Sequence, residues 1–206
     1  NLGMGVPQDY IEAAKLYRLA AEQGISLAGY FLGVMHEYGQ GVPQDYVEAA
    51  TWYRLAAGKG SAEAQSKLGF MYSKGWGVPQ DDAEAVKWYL LAAEQGDADA
   101  QFNLGVTYQQ GKGIIQDYVE AANWYHLAAE QGYAKAQYNL GVMYANGRGF
   151  IQDFVKAHMW VNIAASLGNE DAASIRDALA AKMTPEQIAE AQRLARECVA
   201  ANYKRC

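Results

Sequence analysis

A chain of 206 residues with 51% hydrophobic residues has room for one large or two small domains, and its formal net charge of −6 excludes the clustered basic face that nucleic-acid binding needs. Heavy use of Ala and Tyr, few β-branched residues and only four prolines favour long unbroken helices. No apolar run approaches the roughly 18–20 residues that cross a bilayer, so no membrane span is expected.

The first feature along the chain is repetition. Gln-Asp falls at 8–9, 44–45, 80–81, 116–117 and 152–153, a constant step of 36. Glycines at 24, 60, 96, 132 and 168 keep that step, as do Gly-x-Gly pairs beginning at 3, 39, 75, 111 and 147. Self-similarity at such a period marks a repeat architecture. The opening NLGMG enters midway through a repeat and carries no initiator Met, so the chain is expected to be a fragment or a processed form whose first repeat is uncapped.

Each period predicts two helices. The second starts at Asp45 and ends near Gly60, with Ala49, Trp52, Tyr53, Ala56 and Ala57 at helical spacing. Asp45 is its N-cap and Glu48 completes a capping-box pattern; Asp9/Glu12, Asp81/Glu84 and Asp117/Glu120 repeat it, whereas Asp153 has Lys156. The first helix spans Ser61 to Gly75, where Ala64, Gln65, Leu68, Gly69 and Tyr72 return as Ala100, Gln101, Leu104, Gly105 and Tyr108, and as Ala136, Gln137, Leu140, Gly141 and Tyr144. Glycine inside a helix costs about 1 kcal/mol relative to Ala, so Gly69 and its counterparts predict a closely approaching neighbour. The first full copy has Gly29 and His36 at the Gln and Tyr positions, and looser packing is expected there. A 36-residue helix pair cannot bury its apolar face alone; stacked neighbours can, which predicts an all-α solenoid. The chain ends on MTPEQIAEAQRLARECVAANY, with Thr184 as N-cap and Pro185 at the first helical position. Residues 1–181 are read as repeats and 182–206 as a C-terminal capping helix and tail.

The stretch AEAQSKLGFMYSKGWGVPQDDAEAVKWYLLAAEQG resembles the Sel-one-like repeat (SLR) family, a tetratricopeptide-like group, through AxAQxxLGxxY, GxGVPQD and WYxxAAxxG at fixed offsets. The resemblance implies a right-handed α/α superhelix that binds proteins, in bacterial envelope, secretion or stress pathways, and in the periplasm or outside the cell. It implies no chemistry and no cofactor. Some members carry a disulfide in every repeat and bind penicillin; an envelope enzyme or β-lactam-binding protein of that type is the alternative, and a self-associating repeat protein, joined through the uncapped N-terminal repeat, a third reading.

Other features bear on chemistry. A phosphate loop follows a strand, whereas each Gly-x-Gly here follows a predicted helix, so the glycines are read as turns. His36, His126 and His158 stand in no metal-binding spacing and are read as packing or surface residues. Trp52, Trp88, Trp124 and Trp160 could imitate a sugar-stacking ladder but share the period of the core. If the last helix runs to the chain end, Cys198 and Cys206 lie about 12 Å apart along it, too far to bridge; Cys198 is expected in the core and Cys206 as a free thiol.

In tetratricopeptide solenoids the first helix of each pair lines a concave groove. Residues between the recurring packing positions are therefore the candidate partner-binding groove: Tyr30, Val34 and Glu37; Glu63, Ser66, Phe70 and Lys74; Phe102, Val106, Gln109 and Gln110; Tyr138, Val142 and Asn146. Tyr30, Phe102 and Tyr138 form one apolar column, and Val34, Phe70, Val106 and Val142 another, suited to a peptide or protein partner.

Overall fold

The computed structural model describes residues 9–204 and Cys206. Among the described residues there are eleven helices and no strands: α1 (Tyr10–Glu22), α2 (Ser26–Tyr38), α3 (Tyr46–Ala57), α4 (Ala62–Lys74), α5 (Asp82–Glu94), α6 (Ala98–Gln110), α7 (Tyr118–Ala129), α8 (Ala134–Asn146), α9 (Phe154–Ser166), α10 (Glu170–Ala180) and α11 (Pro185–Ala200). The fold is the expected all-α series of 36-residue helix pairs. Contacts group the chain into two compact units, Asn1–Gln95 and Gly96–Cys206.

The helix boundaries follow from capping. The Asp45 carboxylate accepts hydrogen bonds from the Val47 and Glu48 N–H groups at 2.8 and 3.1 Å, and Asp9, Asp81, Asp117 and Asp153 cap their helices in the same way. Asp153 does so through the Lys156 N–H, so the cap does not depend on the side chain at that position. The capping boxes expected at these aspartates are one-armed. Glu12 and Glu84 turn instead to Lys15 and Lys87, one helical turn on. The reciprocal box forms at α11, where Thr184 and Gln187 exchange backbone-to-side-chain bonds.

The interior glycines admit the neighbouring helix. In unit 1 a methyl group at Gly33 would sit 2.6 Å from the Tyr53 ring, and one at Gly69 2.8 Å from the Tyr89 ring. In unit 2 a methyl group at Gly105 would meet Tyr125, and one at Gly141 would meet Val161, both at 2.5 Å. Tyr53, Tyr89 and Tyr125, and Val161 in the last copy, thus lie directly on the backbone of the first helix of their pair. At Gly29 a methyl group would meet the Ala56 methyl at 3.4 Å, an ordinary contact, so this position has room that the other interior glycines lack. The core of unit 1 gathers Ala49, Tyr53, Leu68 and Met71, and that of unit 2 gathers Tyr125, Leu140, Met143 and Trp160.

A glutamine ladder crosses these cores. Gln65, buried on α4, donates to the Ala57 carbonyl at the end of α3 and accepts from Gln95 at 2.7 Å. In unit 2 Gln131 donates to Gln101 at 2.9 Å. Gln137 donates to the Ala129 carbonyl, but the position 30 residues further on is Leu167, which has no donor. The Gln137 Oε1 atom, in a residue 0% exposed, is left without a partner.

The C-terminal end departs from expectation. Helix α11 packs on α9 and buries Ala191, Ala195 and Cys198. It stops at Ala200, and Asn202 and Tyr203 adopt positive φ of 51° and 63°. The chain therefore doubles back, the Cα atoms of Cys198 and Cys206 come within 5.3 Å, and the two form a disulfide. The separation calculated for a continuous helix does not apply, because the helix ends six residues before Cys206. The returning tail lays Tyr203 against Gly132.

Two outcomes are expected. Gly105→Ala gains about 1 kcal/mol of helix propensity, but overpacking against the Tyr125 ring costs about 1–3 kcal/mol, so its thermal midpoint by circular dichroism should fall; a midpoint at or above wild type contradicts the packing. Leu167→Gln supplies the missing donor to Gln137 and should raise unfolding free energy by about 1 kcal/mol in a urea titration.

Candidate functional site

The candidate groove residues do not all reach the surface. In unit 1, Tyr30 and Val34 on α2 and Phe70 on α4 are half-buried, and Glu63 and Lys74 are exposed. Glu37 and Ser66 are only 7% and 6% exposed and offer almost no surface. In unit 2, Phe102, Val106 and Gln109 on α6 and Tyr138 and Val142 on α8 are half-buried, while Gln110 and Asn146 at the helix ends are exposed. Phe102 lies between the rings of Tyr125 and Tyr133, at centroid distances of 5.8 and 5.2 Å. The two aromatic–aliphatic columns are thus seams, one face packed inward and one edge outward.

Beneath the seams runs a polar row that Glu37 belongs to. The Tyr53 hydroxyl donates to the Glu37 carboxylate at 2.5 Å, and the Lys67 ammonium donates to both Glu37 oxygens at 3.2 Å. Equivalent tyrosines reach the same position one and two repeats on: Tyr89 to the Ser73 hydroxyl at 3.5 Å and Tyr125 to Gln109 at 2.8 Å. Where Val161 replaces the tyrosine, the partner position is Ala145. The loss of both partners together, at a spacing of 16, is the sequence signal that could have exposed this row. Burial, then the Glu37 bond, pushes the Tyr53 hydroxyl well above its ordinary range; burial raises Tyr89 to about 12. For Lys67, burial alone lowers the ammonium, and the charge and hydrogen bonds of Glu37 more than offset it, so the group stays protonated well into alkali.

The other candidate sites resolve as structure. Gly77 has a positive φ of 67°, and a side chain there would collide with the Tyr46 carbonyl oxygen. A loop seated on a carbonyl oxygen repels phosphate and tolerates no Cβ. The indole N–H groups of Trp52, Trp88 and Trp124 point into the protein without a hydrogen-bond partner, and Trp160 is buried. Arg18 covers the Trp52 ring and His126 meets the edge of Trp160. Rings covered on the face, with N–H turned inward, cannot read a sugar. His36 and His158 are buried, and His126 is half-buried. Burial, then Arg176, lowers the His158 imidazole. Among the described residues no group of three His, Cys, Asp or Glu is placed to hold a metal, and no helix is long and apolar enough to cross a membrane.

Comparison with known proteins follows the same lines. The model of the Sel1 repeat matches residues 1–25, 26–61, 62–97, 98–133 and 134–169. Among solved structures, the chain is similar to c5321, a protective antigen of uropathogenic Escherichia coli with an SLR fold: 36% identity, TM-score 0.82, covering 95% of this chain and 43% of that one. A Sel1 repeat protein from Oxalobacter formigenes is 37% identical at TM-score 0.77, over 87% of this chain and 52% of that one. A putative sel1 repeat protein from Klebsiella pneumoniae is 26% identical at TM-score 0.53, over 84% and 86%. The chain spans about half the length of the first two. A comparison with curated protein sequences returned no significant match.

The ion pair under the unit 1 seam can be tested directly. Lys67→Met strands the Glu37 carboxylate; with the Lys67 side chain 31% exposed, the expected cost is about 2 kcal/mol, below the 3–5 kcal/mol of a fully buried pair. Adding Glu37→Gln should restore most of it in urea unfolding at neutral pH. Because the folded lysine value is raised, the pair's contribution is complete at neutral pH and drains away as pH rises through that alkaline value.

Proposed function

Because the chain belongs to the Sel1 repeat family, whose members are typically protein–protein interaction scaffolds, we propose that it is a non-enzymatic scaffold binding a peptide or protein partner along the first helices of its repeats. The observation that carries this reading is the half-exposed seam on α6 and α8: Phe102 and Val106 beside Tyr138 and Val142, with the Gln110 and Asn146 amides exposed at the helix ends. Aromatic rings offer large contact area at low entropic cost, and flanking amides can pair with the backbone of an extended segment. In unit 1 the corresponding surface is Tyr30, Val34 and Phe70, with Glu63 and Lys74 at its margins. Glu37 and Gln109 accept the Tyr53 and Tyr125 hydroxyls and so tie together the helices that carry the surface.

Several of these residues change from copy to copy, as Tyr30, Ser66, Phe102 and Tyr138 do, whereas most packing residues recur. Each repeat therefore presents a different side-chain set on the same frame, as selectivity for one partner requires. Nothing in the described residues favours β-lactam chemistry: both cysteines are joined at the C-terminus, and none lies in a repeat.

The test is to capture a partner from a lysate on the immobilised wild-type chain and then to titrate it against wild type and the double variant Phe102→Ala/Tyr138→Ala. Truncating central aromatic contacts costs about 2 kcal/mol or more at interface hot spots, so affinity should fall by well over tenfold. A double variant that unfolds cooperatively yet binds as tightly as wild type removes this reading.

A further inference from the structure

We propose that the amides of Gln109 and Asn139 form a clamp for the main chain of an extended polypeptide segment, an inference that deepens the scaffold reading above and rests on it. Gln109 lies in the last turn of α6 and Asn139 in the middle of α8, so two consecutive first helices of unit 2 supply one amide each. Tyr125 on α7 stands between them. Its hydroxyl donates to the Gln109 Oε1 atom at 2.8 Å. Burial raises the pKa of that hydroxyl, and a hydrogen bond from the Asn139 amide opposes the rise.

One hydroxyl sets the polarity of both side chains. It has a single proton, which goes to Gln109, so it meets Asn139 only as an acceptor. Gln109 therefore turns its carbonyl inward and keeps its NH2 group to spare. Asn139 turns its NH2 group inward and keeps its carbonyl. Both residues are half-buried, and among the described residues neither spare group is paired or sealed in. Two repeats earlier in the chain, the same three positions close on themselves: Glu37 accepts from Tyr53 and Lys67, and Lys67 also covers the Tyr38 ring. The ion pair uses its own groups up, whereas the amides leave one each.

A spare donor beside a spare acceptor matches a peptide main chain, which offers a C=O and an N–H at each residue. Two hydrogen bonds and two amide groups separate the spare atoms, so a short extended stretch, at about 3.3 Å per residue, reaches both. Every second side chain of that stretch would turn toward Val106 and Val142, each three residues from its amide on the same helix. The segment that fits is therefore extended, with apolar residues at alternate positions. A helix cannot use the clamp. Its main-chain groups are paired internally except at its ends, and its apolar face would bury both amides without partners.

The probe is a pool of heptapeptides, acetylated and amidated, with valine at alternate positions and the others randomised, selected on the immobilised intact chain. The tightest binder is resynthesised with one amide at a time replaced by an ester, which removes a single main-chain N–H. One such ester should weaken binding to wild type about tenfold. It should have little effect on Asn139→Leu, which has already lost the acceptor. Gln109→Glu keeps an acceptor for Tyr125, as Glu37 does for Tyr53, but presents no donor; it should melt like wild type and bind at least tenfold more weakly. A pool that yields no saturable binder, an ester scan with no position that depends on Asn139, or wild-type affinity in a folded Gln109→Glu overturns the clamp. So does a selected peptide that NMR shows to be helical when bound. With the captured partner, lost affinity in Phe102→Ala/Tyr138→Ala but not in Gln109→Glu keeps the groove and removes the clamp. The reverse pattern keeps the clamp and removes the aromatic seam.

Discussion

The close approach of an aromatic ring to a helix backbone governs how each repeat is assembled. Tyr53, Tyr89 and Tyr125 lie on Gly33, Gly69 and Gly105 at distances that leave no space for a methyl group. That contact fixes the separation and crossing of the two helices in a pair. Everything built on the pair inherits its geometry: the buried alanines of α3, α5 and α7, the hydroxyl that reaches across to the preceding helix, and the outward edges of Tyr30, Phe70 and Phe102. A helix interior accepts glycine only where such packing offsets the lost propensity, which is why the glycines keep the period of the chain so strictly.

The buried polar groups have a related role. Dispersion and burial hold the alanine-rich faces together but distinguish poorly between one sliding position and another. The Gln65–Gln95 and Gln101–Gln131 pairs and the Tyr53 and Tyr125 hydroxyls join particular positions of neighbouring helices. A slipped helix would leave them buried and unpaired, at a cost of about 1–3 kcal/mol each. These bonds select the alignment more than they strengthen it. The alignment in turn places the variable residues of consecutive first helices side by side within each unit.

Much of this was legible in the sequence. The period, the helix pairs, the aspartate caps and the tight glycine contacts follow from local rules applied at a step of 36. Of the positions between the recurring ones, Tyr30, Val34, Phe70, Phe102, Val106, Tyr138 and Val142 are half-buried, reaching the surface only in part. Glu37 escaped because its burial depends on Tyr53 and Lys67, 16 and 30 residues away. Ser66 stands at the repeat position of Tyr30, Phe102 and Tyr138, and its short side chain is buried where their rings reach outward. The disulfide escaped for a different reason: Asn202 and Tyr203 take a left-handed turn usually marked by glycine, and nothing in VAANYKRC announces it.

The covalent clasp at Cys198 and Cys206 gives unit 2 a direction. Terminal turns are ordinarily the first part of a helical stack to fray, because they have a neighbour on one side only. Here the final turn of α11 is tied to the chain that follows it, and Tyr203 and Cys206 lie over the core formed by α7, α8 and α9. The clasp makes the last helix and its tail one unit, so loosening that end uncovers the core beneath Tyr203 and Cys206 as well as the face of α11.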